Sequence, residues 1–276
     1  MTQALTTLIC PLDGTALSLH ERSWRCPHGH SFDVAKQGYV NLLPVQNKRS
    51  KDPGDSKAMV QARQRFLARG TYQPLAQAIA DAVLETGEQS LLDAGCGEGY
   101  YLRHIIDGAE QVSTDVTVAA LDISKWAVQA AAKQDKRISW LVASNNSIPL
   151  ADHSVDTLLC VFGFPVSAEF KRVLKPGGRL LMVDPAPQHL IELKRIIYPE
   201  VKTKADDFPV SSAEWALSSE QRLTFTVELM DNDSIQDLLI MTPHLYRSSK
   251  EGRERAGQLD KLSLTADIWV RIFTAN

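Results

Sequence analysis

The rhythm of apolar and polar positions changes twice along the chain. Residues 1–34 hold short apolar runs broken by Cys, His, Gly and Pro, with no helical period. Ala16–Leu19 and Ser23–Arg25 read as the two strands of a small hairpin. A piece that small cannot bury a core of its own and needs a staple. Residues 35–56 read as a loop-like connection, with Pro44, Pro53 and Gly54 as breakers. Ala58–Ala68 then reads as a helix ending at Gly70, and Pro74–Leu84 as a second with Pro74 in its first turn.

From Ser90 onward strands alternate with helices. Leu91–Leu92 leads into Asp93 and a glycine loop that opens a helix. Val118–Leu121 is a strand ending at Asp122, and Trp126–Lys133 is helical. Ile138–Val142 is the next strand. Val155–Phe162 is almost continuously apolar, as a strand buried on both faces should be. Ala168–Leu174 is helical and stops at Pro176-Gly177-Gly178, before the strand Arg179–Val183. His189–Ile197 and Ile235–Met241 read as helices. Leu223–Leu229 and Ser263–Phe273 alternate and suit a closing antiparallel hairpin. The order predicts an α/β fold, a parallel sheet with helices on both faces.

Composition changes this picture little. The chain has 276 residues, 44% hydrophobic and 23% charged, which excludes disordered, collagen-like and coiled-coil classes. No run of eighteen apolar residues suggests a membrane span, and the N-terminus lacks the pattern of a secretory signal. Four cysteines are too few for a disulfide scaffold, so the expected compartment is the reducing cytoplasm. Charge is uneven. Within residues 34–80, Lys36, Lys48, Arg49, Lys51, Lys57, Arg63, Arg65 and Arg69 face only Asp52 and Asp55, a local excess of six in a chain of net charge −3. That suits a docked polyanion; a solvated helix face with a loop is the plainer alternative.

The loop Asp93-Ala94-Gly95-Cys96-Gly97-Glu98-Gly99-Tyr100 carries the most chemistry. Its glycines permit positive φ and let a ligand lie against the backbone. A dinucleotide site wants G-x-G-x-x-G, whereas the spacing here is G-x-G-x-G with an acid two residues before the first glycine. Asp93 can accept from an ammonium group, and Asp122 can take both hydroxyls of a ribose. With Ser147-Ile148-Pro149-Leu150, Ser154-Val155-Asp156 and Val173-Leu174-Lys175-Pro176-Gly177-Gly178, these motifs resemble class I S-adenosylmethionine-dependent methyltransferases. The alternative is another doubly wound protein in which Asp93 and Asp122 cap helices.

Near the N-terminus, Cys10-Pro-Leu-Asp13 and Cys26-Pro-His-Gly-His30 have metal-ligand spacing. Asp stands where a zinc knuckle usually has its second Cys. Asp13 can complete the site through oxygen; His20, His28 or a water can substitute, or Leu12, Leu17, Trp24 and Phe32 can hold the zone without metal. Cys96 and Cys160 read as packing residues.

The chain further resembles the RlmA-type guanine-N1 methyltransferases of large-subunit (23S) ribosomal RNA. The resemblance rests on His30-Ser-Phe-Asp33, Lys36-Gln-Gly-Tyr-Val-Asn-Leu-Leu-Pro-Val45, Lys48-Arg-Ser-Lys-Asp-Pro-Gly-Asp55, Asp93–Tyr101, Pro187-Gln-His189-Leu and Leu239-Ile-Met-Thr-Pro243. It implies a zinc-knuckle-like β domain at 1–34 that helps hold an RNA hairpin, a basic linker with helices at 35–85, and a Rossmann-like methyltransferase domain at 86–276. It also implies a cytoplasmic homodimer with a joint RNA cleft. On the family pattern Tyr72, Gly97, Glu98 and His189 contact S-adenosylmethionine, joining Asp93, Gly95, Gly99, Tyr100 and Asp122. Cys10, Asp13, Cys26 and His30 match the zinc ligands. Phe162-Gly-Phe-Pro165 departs from the family's usual Tyr-Ala-Pro version and lacks the Asn of the amine methyltransferases; Phe162 or Phe164 is placed to stack on an extruded guanine. A small-molecule methyltransferase and a non-catalytic RNA-binding module are the other classes. The knuckle and basic stretch disfavour the first, the intact loop acids and glycines the second.

Overall fold

The computed structural model describes residues 3–4, 7–47, 50–85, 87, 90–201 and 207–276. After the two-residue strand β1 (Gln3–Ala4), β2 (Ser18–His20), β3 (Ser23–Arg25) and β4 (Ser31–Asp33) form a three-stranded antiparallel ribbon. The predicted hairpin thus gains a third strand. β5 (Tyr39–Asn41) follows, then α1 (Lys57–Ala68) and α2 (Gln73–Leu84). Ser56 caps α1 by accepting from the Met59 amide at 3.3 Å, and Gly70, at φ +76, lies just beyond its end.

The chain continues through β6 (Ser90–Ala94), α3 (Tyr100–Gln111), β7 (Thr117–Asp122), α4 (Lys125–Gln134), β8 (Ser139–Val142), β9 (Val155–Val161), α5 (Ser167–Val173), β10 (Leu174–Pro185) and α6 (Ile191–Ile197). Then come β11 (Trp215–Leu229), α7 (Asn232–Met241), α8 (His244–Arg247), α9 (Lys250–Gly257) and β12 (Leu262–Ala275). The sheet order is β11-β12-β10-β9-β6-β7-β8-β5, with β1 beside β7. β5 through β10 pair in parallel; β12 pairs antiparallel to both β10 and β11. Strand order reverses between β6 and β9. That switch point opens a crevice beyond their carboxyl ends, where this architecture binds ligands.

Residue parity along the strands sorts the core into two layers. Leu91, Val118 and Ala120 pack under Phe66, Leu75, Ile79 and Leu102 from the helices. Leu92, Ala119 and Leu121 point the other way, into a layer shared with Phe170 of α5 and with Leu8, Cys10, Leu17 and Cys26 of the ribbon. The ribbon is also tied to the sheet's loops: the Ile9 amide donates to Pro149 O and the Ala151 amide to Thr7 O. It therefore borrows the core of the large sheet in place of building one.

Two departures from the sequence pattern stand out. Residues 39–41 are not loop but the edge strand β5, aligned Tyr39 to Trp140 and Asn41 to Val142. Three residues between Gly38 and Pro44 are too short for alternation to show. The helices α8 and α9, rich in polar residues, carry no apolar stripe that the pattern could reveal.

Candidate cofactor and metal sites

Asp93 is the penultimate residue of β6 at the switch point, and the loop after the strand turns through three left-handed glycines: Gly95 at φ +99, Gly97 at +56 and Gly99 at +80. The loop is pinned to β7, since the Gly95 and Cys96 amides donate to Leu121 O at 2.9 and 3.0 Å. A side chain on Gly95 would meet nothing within 4 Å, and one on Gly97 only the Arg63 Nη1 at 3.7 Å. A side chain on Gly99 would overlap the Trp140 ring. Gly95 and Gly97 thus leave an open cradle, while Gly99 makes room for the core.

Two carboxylates serve the cradle. Asp93 is buried, and its Oδ1 has no hydrogen-bond partner. Burial, reinforced by the charge of Asp122, holds its carboxyl well above the usual carboxylate range. Asp122 ends β7; its Oδ2 accepts from the Gly97 amide at 3.0 Å and its Oδ1 from the Ser124 amide at 2.7 Å. Burial raises this carboxyl too, although the two amides oppose the shift. An unpaired buried carboxylate at an open backbone cradle is chemistry awaiting a cationic hydrogen-bond donor.

The remaining predicted positions fall into different settings. Glu98 is buried but committed: Arg103 Nη2 reaches its two carboxylate oxygens at 3.2 and 3.0 Å, and Gln134 Nε2 donates at 2.8 Å. Its side chain locks the loop onto α3 and α4. Tyr100 starts α3, packed against Tyr101 and His104 at centroid distances of 5.2 and 4.5 Å. Tyr72 is buried at the head of α2, edge-on to Phe66 and Phe225 at 5.7 and 5.8 Å. His189 lies past the end of β10. Its Nδ1 accepts from the Asp267 amide at 3.3 Å, and its ring stacks on Phe162 at 5.9 Å. Burial, with Lys194 nearby, pushes this imidazole down to about 3, so it is neutral near pH 7 with its proton on Nε2. Phe162 itself is held at φ +51, and Phe164, three residues beyond β9, stands 84% exposed.

The metal candidates converge. Ligand atoms of Cys10, Asp13, Cys26 and His30 all lie within 4.8 Å of one another. His30 Nδ1 is 3.5 Å from Cys10 Sγ, 3.3 Å from Cys26 Sγ and 3.0 Å from Asp13 Oδ2. A tetrahedron with zinc bonds of 2.0–2.3 Å has edges of about 3.3–3.8 Å, so the four groups are spaced to share one ion. Asp13 is oriented for it: Oδ1 accepts from the Thr15 amide and hydroxyl at 2.9 and 2.6 Å, leaving Oδ2 toward the sulfurs. Those Thr15 bonds hold the Asp13 carboxyl well below the usual range. His28 Nδ1, 3.0 Å from the same Oδ2, is an outer partner of Asp13.

Sequence reasoning missed the groups above the cradle. Arg63 of α1 pairs with Asp55 and donates from Nη2 to Met241 O at 2.9 Å. The Asp55 carbonyl accepts from the Ser124 hydroxyl at 2.6 Å, and Gly54 sits so close that a side chain there would press on Ile123 and Ser124. Arg65 pairs with Asp237 at 3.1 Å through Nε, and Arg69 with Asp231 at 2.9 Å. Arg65 and Arg69 are therefore spent on acids of α7 and its N-cap, while Arg63 ties α1 to the strap before it and to the end of α7 with N–H groups left over. Lys48 and Arg49 lie outside the described residues.

Comparison with known proteins finds relatives of both parts of the chain. Residues 8–51 match the zinc-ribbon family described as RlmA, N-terminal, and residues 92–182 match the family described as methyltransferase domain. A protein of Micromonospora griseorubida, named as a candidate 23S rRNA (guanine-N1)-methyltransferase, is 40% identical over 68% of this chain and 69% of its own. A 23S rRNA (guanine(748)-N1)-methyltransferase of Streptomyces fradiae is 38% identical over 67% of this chain and 66% of its own. A Bacillus subtilis protein, also named as a candidate 23S rRNA (guanine-N1)-methyltransferase, is 31% identical over 95% of both chains. With both parts of the chain matched and one relative spanning nearly its whole length, the chain belongs to the RlmA-type 23S rRNA (guanine-N1)-methyltransferase family.

Proposed function

We propose that this protein transfers the methyl group of S-adenosylmethionine to N1 of a guanine in large-subunit ribosomal RNA. The observation that carries the reading is the buried, unpartnered Asp93 carboxylate beside the open Gly95–Gly97 cradle, within a chain of this family. The cofactor, when bound, supplies an electrophilic methyl on a sulfonium centre. Asp93 accepts from its ammonium group, Gly95 and Gly97 admit it to the backbone, and Asp122 takes the ribose hydroxyls with the lone pairs its two amide contacts leave free. Glu98, Gly99 and Tyr100 shape the loop and, with Tyr72 and His189, complete the set of cofactor-contacting residues that the family pattern implies. Guanine N1 gives up its proton to become the nucleophile, and its in-line attack at the sulfonium, which releases a thioether, depends on positioning that a rigid crevice provides. Phe164, exposed three residues beyond β9, is placed to stack on an extruded guanine.

Zinc at Cys10, Asp13, Cys26 and His30 staples the ribbon, and this part, residues 1–34, serves with the basic linker at 35–85 to hold an RNA hairpin beside the 86–276 domain. The homodimer and the cytoplasmic setting are part of the same reading; among the described residues no helix is long and apolar enough to cross a membrane. Incubation with labelled methyl donor and either total RNA or a metabolite extract tests it. Label in large-subunit RNA is expected. Label in the metabolite fraction alone, or in neither, overturns it.

A further inference from the structure

The methyl donor carries a carboxylate as well as an ammonium group, and Asp93 answers only the second. Two guanidinium groups stand against the glycine loop. Arg103 is spent, with donors on Glu98 O at 2.7 Å and on both Glu98 carboxylate oxygens. Arg63 is not: its Nη1 serves Asp55 and its Nη2 serves Met241 O, so the Nε–H and one N–H on each terminal nitrogen are uncommitted by these contacts. Its Nη1 is 3.7 Å from where a Gly97 side chain would begin, in the open side of the cradle. The side chain is 25% exposed, so its charge is partly shielded from water. Contacts with the strap at Asp55, just before α1, and with the end of α7, far along the chain, fix where the fork sits.

We infer that Arg63 is a cofactor-binding residue that receives the carboxylate of S-adenosylmethionine. This rests on the methyl-donor reading above and adds a residue to it. Asp93 and Arg63 then recognise the two charges of the amino-acid moiety from the two ends of one loop. A planar fork suits a carboxylate better than an ammonium point charge does. Asp55 is the competing anion: it holds the guanidinium ready in the ligand-free protein and shares it once the cofactor enters.

Calorimetry with S-adenosylmethionine and with its decarboxylated analogue, which lacks only the carboxylate, reads this directly. The unaltered protein should prefer the full cofactor by about ten- to a hundred-fold, the usual worth of charge-assisted hydrogen bonds. Arg63→Met should lose that preference while binding the decarboxylated analogue as before. Arg63→Lys, which keeps the charge and strains the fold least, should fall between. Asp55→Asn should widen the preference by removing the competitor. An unchanged preference in Arg63→Met and Arg63→Lys, or equal weakening of both ligands, overturns the inference and makes Arg63 a structural link between α1 and α7. Failure of the unaltered protein to bind either ligand overturns the methyl-donor reading itself.

Discussion

A carboxylate without a partner is costly in a folded interior, and Asp93 is kept in that condition at the mouth of β6. Its raised pKa gives a pH signature with a definite sign. Below that pKa the ligand-free protein holds Asp93 neutral, and binding an ammonium group must expel the proton. Affinity for S-adenosylmethionine should therefore fall as pH drops through the raised range and level off above it, with proton release on binding. Asp93→Asn should bind weakly at every pH; a parallel pH dependence in calorimetry for both proteins would contradict this role. The glycines divide by what their missing side chains face. Gly97→Val should cost about 1–2 kcal/mol of stability for its left-handed φ and abolish cofactor binding by filling the cradle. Gly99→Ala should cost about 2–5 kcal/mol, because strain adds to overlap with Trp140. Denaturant unfolding with and without cofactor separates the two. The acid-and-glycine spacing made the loop legible from sequence. The side-chain commitment of Glu98 was not, because Arg103 and Gln134 reach it only after α3 and α4 have packed.

At the scale of elements, the ribbon shows why local pattern runs out. Its strands are three residues each, and its buried positions Leu8, Cys10, Leu17 and Cys26 pair with β6, β8 and the 148–150 turn. No window of sequence contains both halves of that core. The spacing of Cys10, Asp13, Cys26 and His30 was readable, and folding brings the four together. Protein purified without chelator should carry up to about one zinc per chain, held more loosely than by all-soft ligands because Asp13 offers hard oxygen. Chelation or Cys10→Ala should lower the thermal midpoint, and Asp13→Cys should tighten the metal and raise it. Metal-free protein whose midpoint ignores Cys10→Ala would leave the ribbon held by its apolar contacts alone. The helix α1 carries a similar lesson. The arginines in and just after it look like a polyanion site in sequence, yet Arg65 and Arg69 meet acids in α7 and at its N-cap that lie more than 160 residues away.

Across the whole molecule, that pairing narrows where RNA can be held electrostatically. Lys36 and Lys51 are exposed in the linker between ribbon and α1, on the stretch that also includes Lys48 and Arg49. Neutralising Lys48, Arg49 and Lys51 together should weaken RNA binding and lower the salt slope by about two to three units, at roughly 0.7–0.9 per phosphate contact. Arg65→Gln should leave the slope unchanged and instead loosen α1 from α7. Filter binding on one hairpin RNA across a salt series decides this; equal slopes for the triple variant and the unaltered protein would remove the linker from RNA docking. The doubly wound order was legible from the alternating pattern because long apolar strands announce themselves. The short edge strand β5 and the helices α8 and α9 were not, because three residues show no alternation and these short helices carry no apolar stripe.

The central claim is the identity of the modified atom. Large-subunit RNA incubated with the protein and S-adenosylmethionine, digested to nucleosides and resolved by mass spectrometry, reports it directly. The expected result is 1-methylguanosine as the sole new nucleoside, absent when Asp93→Asn replaces the unaltered protein. A different methylated nucleoside, or 1-methylguanosine formed undiminished by Asp93→Asn, would contradict it.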